Sequence, residues 1–248
     1  MIGKEDVFMA HNRITAVLFD WDFTLAYSIG PDVPFSERLA MLFGQHGVET
    51  TPGEMAQILD TIRREINTGV LKAYLFPQEK RAIIKNYRVI LEKLGHPDTS
   101  YEFAYKLYSG YANLPHYLFD DVLPTFEKLQ DAGLKLGILS NHSRSARPVM
   151  DEMVGSYISA PHITISEDIG VHKPDSTIFW LAASKMEVAP ENCLYVGDNL
   201  EVDAIASVQQ GGYAGGLWLN RAKRPFSPPS LSNIAEIQSL TQTLDFLS

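Results

Sequence analysis

The segment Val17-Leu18-Phe19-Asp20-Trp21-Asp22-Phe23-Thr24 joins an apolar run to two aspartates one residue apart and a threonine. An unbroken apolar run is typical of a strand buried on both faces, as in parallel sheets. In such sheets ligands bind beyond the carboxyl ends of the strands. Because an unpaired carboxylate is costly to bury, the pattern favours a functional role for Asp20 and Asp22. A strand followed by an acidic helix cap is the alternative.

Three later segments also place polar residues at the end of an apolar run or at the start of a helix. They are Leu134–Asn141, Gly170–Asp175 and Cys193–Asp203. The polar residues in question are Ser140, Asn141, Lys173, Asp198 and Asp203. Each has an ordinary alternative as a helix cap, a surface charge or a turn residue. Their occurrence together and in this order favours one shared crevice.

From Asp120 onward, strand patterns alternate with helix patterns. Strands are predicted at 134–140, 162–165, 193–197 and 213–219, with a possible edge strand at 234–237. The helices between them are predicted at 122–132, 145–154, 175–186 and 203–210. This alternation predicts an α/β fold, a Rossmann-like parallel sheet flanked by helices on both faces.

Residues 36–111 carry only helical patterns. Ser36 is predicted to cap the first helix, and Thr51-Pro52-Gly53-Glu54 to form a capping box with proline at the first helical position. Further helices are predicted at 77–95 and 100–111. We therefore expect residues 1–28 and 116–248 to form the α/β core, and residues 29–115 to form an inserted helical domain.

The charge distribution bears on the choice of partners. The chain has 248 residues and a net charge of −9, which makes nucleic acid an improbable partner. No apolar stretch is long enough to cross a membrane, and the first residues contain no signal-like apolar segment. A cytoplasmic enzyme is predicted. Residues 33–112 carry a net charge of +1 and the remainder −10, which suits a lid over an anionic substrate, although solvated helix faces would give the same asymmetry.

Taken together, the motifs resemble those of the haloacid dehalogenase superfamily. The segment Asp20–Thr24 is similar to its first motif, Ser140 to the second, Lys173 to the third, and Gly197-Asp198 through Asp203 to the fourth. The resemblance covers roughly residues 14 to 220. One position departs from it, since Val202 stands where a polar residue often precedes the last aspartate. The resemblance implies that the helical insertion is a cap domain.

The resemblance further implies a phosphatase that acts on a small phosphorylated metabolite. Asp20 would be the nucleophile that forms an aspartyl-phosphate, and Asp22 the general acid and base. Lys173 and Ser140 would stabilise the phosphoryl oxygens. Thr24 and Asn141 are the other substrate-binding residues that it implies.

Mg²⁺ is the cofactor that the resemblance implies. Asp20 and Asp198 would bind it through their side chains, and Asp22 through its backbone carbonyl. Asp203 would orient Lys173 or the waters on the metal.

Three other functions share these residues. A phosphomutase would keep the same catalytic set and return the phosphoryl group to a second substrate oxygen. A haloacid dehalogenase is less favoured, because dehalogenases need no acid at the position of Asp22. A non-enzymatic binding protein is disfavoured by the intact set of Asp20, Asp22, Lys173 and Asp198.

Other residues near these motifs have competing interpretations. His142 could line the site, although an ordinary loop histidine is the commoner case. Tyr101, Tyr105, Tyr108 and Tyr111 recur at near-helical spacing, which favours packing, and Cys193 is interpreted as a core residue. Arg63, Arg64 and Lys72 flank the turn at Gly69 and are predicted to contact the non-reacting end of the substrate. Surface ion pairs are the alternative for these three cations.

Overall fold

A computed structural model describes residues 13–71, 80–225 and 233–247. Its strands are β1 Ala16–Phe19, β2 Ala26–Ser28, β3 His116–Leu118, β4 Lys135–Ser140, β5 Ile163–Ile165, β6 Cys193–Gly197, β7 Gly215–Leu219 and β8 Ile234–Ile237. Its α-helices are α1 Phe35–Gln45, α2 Pro52–Asn67, α3 Lys80–Lys93, α4 Tyr101–Gly110, α5 Val122–Asp131, α6 Arg147–Val154, α7 Ser166–Ile169, α8 Ser176–Lys185 and α9 Ala206–Gln209. No described helix is long and apolar enough to cross a membrane.

Six of the strands form a parallel sheet in the order β5-β4-β1-β6-β7-β8. β1 lies between β4 and β6, with Leu18 opposite Gly137 on one side and Tyr195 on the other. Since the strands are parallel, the polar residues that follow β1, β4 and β6 meet at one edge. The predicted α/β fold with a parallel sheet is confirmed.

Helices cover both faces of this sheet, as the side-chain alternation of β1 shows. Val17 and Phe19 pack in the apolar cluster that includes Phe126 of α5. Ala16 and Leu18 pack with Phe179 and other residues of α8 on the opposite face. All four residues of β1 are fully buried, as an apolar run in a central parallel strand requires.

Helices α1 to α4 have an apolar core of their own, which includes Leu42, Met55, Ile84 and Leu107. The caps that begin α2 and α4 follow the sequence signals. The hydroxyls of Thr51 and Ser100 accept hydrogen bonds from the amides three residues later. Two details differ: α1 begins at Phe35 after Pro34, and the Glu54 carboxylate accepts from the Thr50 hydroxyl. The division into core and cap at 28/29 and 115/116 stays a prediction.

The antiparallel pair of β2 and β3 was not predicted. Ser28 lies opposite His116, and the rings of Tyr27 and Tyr117 stack with their centroids 5.7 Å apart. This ribbon, residues 26–28 and 116–118, lies where the chain leaves the sheet and where it returns. Three-residue strands are too short to produce a periodic pattern, which explains why sequence reasoning missed it.

Candidate active site

Lys173 lies at the centre of a buried ionic cluster. Its Nζ is 2.9 Å from Asp20 Oδ1 and 2.6 Å from Asp203 Oδ1, and it donates to the Tyr195 hydroxyl at 2.8 Å. Burial alone would lower the pKa of this ammonium, but the two carboxylates outweigh burial and the pKa is raised. Lys173 is therefore held as a cation beside Asp20.

Asn141 fixes the backbone at Lys173. Its Nδ2 donates to the Lys173 carbonyl at 2.9 Å, and its Oδ1 accepts from the Lys173 amide at 2.8 Å. These reciprocal bonds tie the loop after β4 to the loop that carries Lys173. The side chain of Asn141 thus positions Lys173, and its contact with substrate stays a prediction.

Three carboxylates meet beside Lys173. Asp20, Asp198 and Asp203 each offer an oxygen, and these atoms lie within 4.8 Å of one another. Burial, then Asp203 and Asp20, raise the pKa of Asp198 well above its usual value. Burial also raises the pKa of Asp203 to about 6, although Lys173 opposes that shift. Clustered carboxylates with raised pKa values form a donor set that fits a hard cation such as Mg²⁺.

Asp203 is already engaged within this cluster. Besides its ion pair with Lys173, its Oδ2 accepts from the Asn199 amide at 3.0 Å. A Cβ on Gly197 would lie 2.3 Å from the same oxygen, so only glycine allows this approach. Asp20 and Asp198 are therefore the freer carboxylates, and their assignment as metal ligands stays a prediction.

A tight turn after β1 presents Asp22. The amides of Thr24, Leu25 and Ala26 all point to the Trp21 carbonyl, at 2.9 to 3.3 Å. Phe23 takes a φ of 60°, in the left-handed region. Asp22 Oδ2 lies 3.5 Å from His142 Nε2. Burial raises the pKa of Asp22, an effect that His142 partly opposes, so this carboxyl keeps its proton to a higher pH than usual.

Ser140 and Thr24 complete the set of residues predicted from the motifs. Ser140 ends β4 and is buried, in line with its neighbours at the sheet edge. Thr24 is fully buried, and its carbonyl accepts from Arg221 Nη2 at 3.0 Å. Its hydroxyl has no hydrogen-bond partner among the residues described. The structure brings both residues to this edge without testing their contact with a substrate.

A cavity of about 260 Å³ lies between the sheet edge and helices α1, α3 and α4. Its lining residues are Asp22, Phe23, Phe35, Tyr87, Tyr108, Tyr111, Asn141 and His142. His142 thus lines the site rather than serving as an ordinary loop residue. Tyr108 and Tyr111, interpreted from sequence as packing residues, pack in the helical core and also face the cavity.

Two of the cations predicted to contact substrate, Arg63 and Arg64, do not line this cavity. Arg63 and Arg64 are exposed on α2, and Arg64 Nε pairs with Asp60 at 3.1 Å. Lys72 lies outside the described residues. Arg38 of α1, which the sequence interpretation did not single out, is fully buried with its guanidinium 4.2 Å from the centroid of the Phe23 ring.

Comparisons with known proteins identify a family and individual relatives of this chain. The family model of haloacid dehalogenase-like hydrolases matches residues 14–211. Glyceraldehyde 3-phosphate phosphatase of Methanopyrus kandleri is 29% identical over 194 residues, covering 77% of this chain and 78% of its own. An (S)-2-haloacid dehalogenase of Pseudomonas putida is 30% identical over 143 residues, covering 57% of this chain and 60% of its own.

A solved structure shares the fold over nearly the whole chain. YfnB from Bacillus subtilis, described as an HAD-hydrolase bound to magnesium, superposes with a TM-score of 0.69 at 21% identity. The match covers 95% of this chain and 99% of that one. At this level of identity the likeness supports the fold.

Proposed function

This chain belongs to the haloacid dehalogenase-like hydrolases, and from that membership we propose that it is a Mg²⁺-dependent phosphatase acting on a small phosphate monoester. The observation that carries the proposal is the pair of aspartates after β1. Asp20 is held by Lys173, and Asp22 faces the cavity with a raised pKa. One carboxylate is suited to attack and the other to proton transfer. Relatives named as phosphatases support the same reaction.

In the first step, a carboxylate oxygen of Asp20 attacks phosphorus. A P–O bond forms on Asp20 while the bond from phosphorus to the leaving oxygen breaks. Asp22 gives its proton to that oxygen, so the leaving group departs as an alcohol. The Lys173 ammonium and the Ser140 hydroxyl stabilise the phosphoryl oxygens as negative charge develops.

In the second step, water hydrolyses the aspartyl-phosphate. Asp22 now accepts a proton from the water as its oxygen bonds to phosphorus. The P–O bond to Asp20 breaks, and inorganic phosphate leaves. Asp20 returns to its carboxylate form beside Lys173, and Asp22 is protonated again for the next turnover.

The metal would be held by the side chains of Asp20 and Asp198 and by the backbone carbonyl of Asp22. When bound, Mg²⁺ supplies positive charge that offsets the repulsion between these carboxylates and the phosphate. Asp203 keeps Lys173 in place through the 2.6 Å ion pair, and Asn199 holds Asp203 in turn.

The leaving group would occupy the cavity beside Asp22. Its volume of about 260 Å³ suits a small metabolite. Residues 29–115 would act as a cap that excludes water and selects the substrate, with Tyr108 and Tyr111 of the cavity wall in contact with the leaving group. No nucleic acid or membrane is required as a partner.

The direct test is phosphate release from a panel of phosphorylated metabolites, with Mg²⁺ and with excess chelator. Asp20→Asn should abolish turnover, because an amide does not form the aspartyl-phosphate. Asp175→Asn is the matched control, since Asp175 caps α8 and asparagine caps helices equally well. Retained activity in Asp20→Asn, or full activity in chelator, contradicts the mechanism.

Dehalogenation is the second candidate, because a (S)-2-haloacid dehalogenase is among the relatives. It predicts halide release from a 2-haloacid without Mg²⁺ and without dependence on Asp22. A phosphomutase would instead move phosphate between two positions of one substrate, which phosphorus NMR detects. Either result in place of phosphate release would replace the phosphatase assignment.

A further inference from the structure

The tautomer of the His142 ring follows from a hydrogen bond that the ring accepts. The backbone amide of Ser143 donates to its Nδ1 at 2.8 Å. An amide always donates, so Nδ1 must be the unprotonated, accepting nitrogen. The ring is then a neutral imidazole whose single proton is on Nε2.

The Nε2 atom lies close to the carboxyl group of Asp22. Nε2 lies 3.5 Å from Asp22 Oδ2 and has no hydrogen-bond partner among the residues described. Asp22 Oδ1 is also buried without a partner in that part of the chain. The two carboxyl oxygens of Asp22 are thus in different environments. Oδ2 lies near His142 Nε2, whereas Oδ1 has no hydrogen-bond partner among the described residues.

The backbone of His142 is fixed by hydrogen bonds, and its ring is buried. Its backbone amide donates to the Ser166 hydroxyl at 3.1 Å, and its carbonyl accepts from the Glu167 amide at 3.3 Å. On the cap side its ring lies against Tyr111, with the centroids 6.0 Å apart. Its side chain is only 4% exposed.

We propose that His142 is a positioning residue for Asp22, a role that rests on the proposed phosphatase function. Its Nε2–H holds Oδ2, so that the transferable proton of Asp22 is kept on Oδ1, toward the leaving oxygen. The distance of 3.5 Å is long for a hydrogen bond, as is common before substrate binds and the site tightens.

The other ionisable groups whose charges act on Asp22 are Asp20, which pairs with Lys173, and also His116 and Arg38. His116 makes a 3.2 Å contact to the Ser28 hydroxyl through Nε2 and a 2.6 Å contact to the Leu114 carbonyl through Nδ1. Arg38 donates through Nε and Nη2 to the carbonyls of Val33 and Gly30. His142 Nε2, in contrast, lies 3.5 Å from Asp22 Oδ2 and has no other partner among the described residues.

The test compares two leaving groups in the Mg²⁺-loaded enzyme. An alkyl phosphate needs a proton from Asp22, whereas 4-nitrophenyl phosphate has a leaving group stable as an anion. In His142→Leu, the ratio of kcat/KM for the aryl to the alkyl substrate should rise about 10- to 100-fold. His142→Gln, which keeps an N–H near the position of Nε2, should restore most of the alkyl activity. His162→Leu, the same change at a histidine that contacts the Leu136 carbonyl instead, should leave the ratio unchanged.

Equal losses for both substrates in His142→Leu, or no loss for either, would overturn the proposal. A wild-type enzyme silent toward all phosphate esters would instead reject the proposed function. Nitrogen NMR of the wild-type histidine rings distinguishes failure of the positioning role from failure of the proposed function, because it can be measured on an inactive protein. It should show His142 protonated at Nε2, with that signal shifted in Asp22→Ala. A proton on Nδ1 would overturn the positioning role.

Discussion

At the scale of single residues, four aspartates at one sheet edge have different environments. Asp20 is ion-paired to Lys173, and Asp203 is paired to the same ammonium from the other side. Asp22 faces the cavity. Burial and the acidic neighbours of Asp198 raise the pKa of its carboxyl group. Carboxyl groups acquire separate chemical roles through such differences in surroundings. The spacing of the motifs predicted which residues would meet, whereas the partner of each could be found only in the folded structure.

His172 makes the fold sensitive to acid. The ring is buried beside Lys173, and neither nitrogen has a hydrogen-bond partner among the described residues. Burial, then Lys173, lowers its pKa from 6.5 to about 4. The unfolded chain therefore binds this proton at a higher pH than the folded chain. The stability that depends on neutral His172 is complete above about pH 6.5 and is lost as the pH falls toward 4.

Urea unfolding at pH 7.5 and at pH 5 tests this prediction. The wild type should lose about 2 kcal/mol more of its unfolding free energy than His172→Phe, which keeps a buried ring that does not titrate. The carboxylates of the site titrate in both proteins, so their contribution cancels in the comparison. Parallel losses in the two proteins would show that His172 does not contribute.

At the scale of elements, the close contact between β6 and the π-helix Leu200–Ile205 is set by one glycine. In Gly197→Ala, the new methyl group would meet Asp203 and push its carboxylate away from Lys173. We expect a stability loss of about 1–3 kcal/mol together with weaker Mg²⁺ binding, measured by thermal unfolding and calorimetry. Gly53→Ala on α2 is the control, because no atom lies within 4 Å of its added Cβ. Unchanged Mg²⁺ affinity in Gly197→Ala would separate Asp203 from the metal site.

Sequence patterns predicted the core elements better than the wall of the cavity. β1 and β4 to β7 are largely apolar runs that end in polar residues or turns, and such runs are visible locally. The positions of Tyr108, Tyr111 and His142 depend on how α4 packs against the loop after β4. A helix face that packs inward and one that lines a cavity have the same periodicity, so the sequence alone does not separate them.

At the scale of the whole molecule, hydrogen bonds tie α4 to α7 and to the segment that follows β4. Tyr105 Oη donates to Glu167 Oε1 at 3.0 Å, and Ser145 Oγ donates to the Ser109 carbonyl at 2.7 Å. Glu167 is buried and also accepts from the Arg144 amide at 2.7 Å. These contacts hold the cavity wall against the loop that carries His142.

Tyr105→Phe removes the hydrogen bond to Glu167 and should loosen the packing of α4 against α7. Loss of one such bond costs about 1 kcal/mol, which corresponds to roughly a fivefold change in an equilibrium. We expect faster amide exchange along α4 and a several-fold higher KM for substrates that fill the cavity, with the same fold retained. Tyr101→Phe, at an exposed position of the same helix, is the control. Exchange rates in α4 equal to those of the wild type would show that the contact does not restrain the helix.

The ribbon of β2 and β3 separates the inserted segment between them from the sheet. Ser28 and His116 face each other across one strand pair, although 87 residues separate them. The β2–β3 pairing joins the two ends of the segment between Ser28 and His116, so this segment is one long loop with respect to the sheet. Lengthening a loop whose ends are joined costs little entropy. Insertions, deletions or a complete exchange of residues between these ends would leave the register of β1, β4 and β6 unchanged. If residues 29–115 select the substrate as proposed, substrate choice could be changed there without altering the sheet edge that holds Asp20 and Lys173.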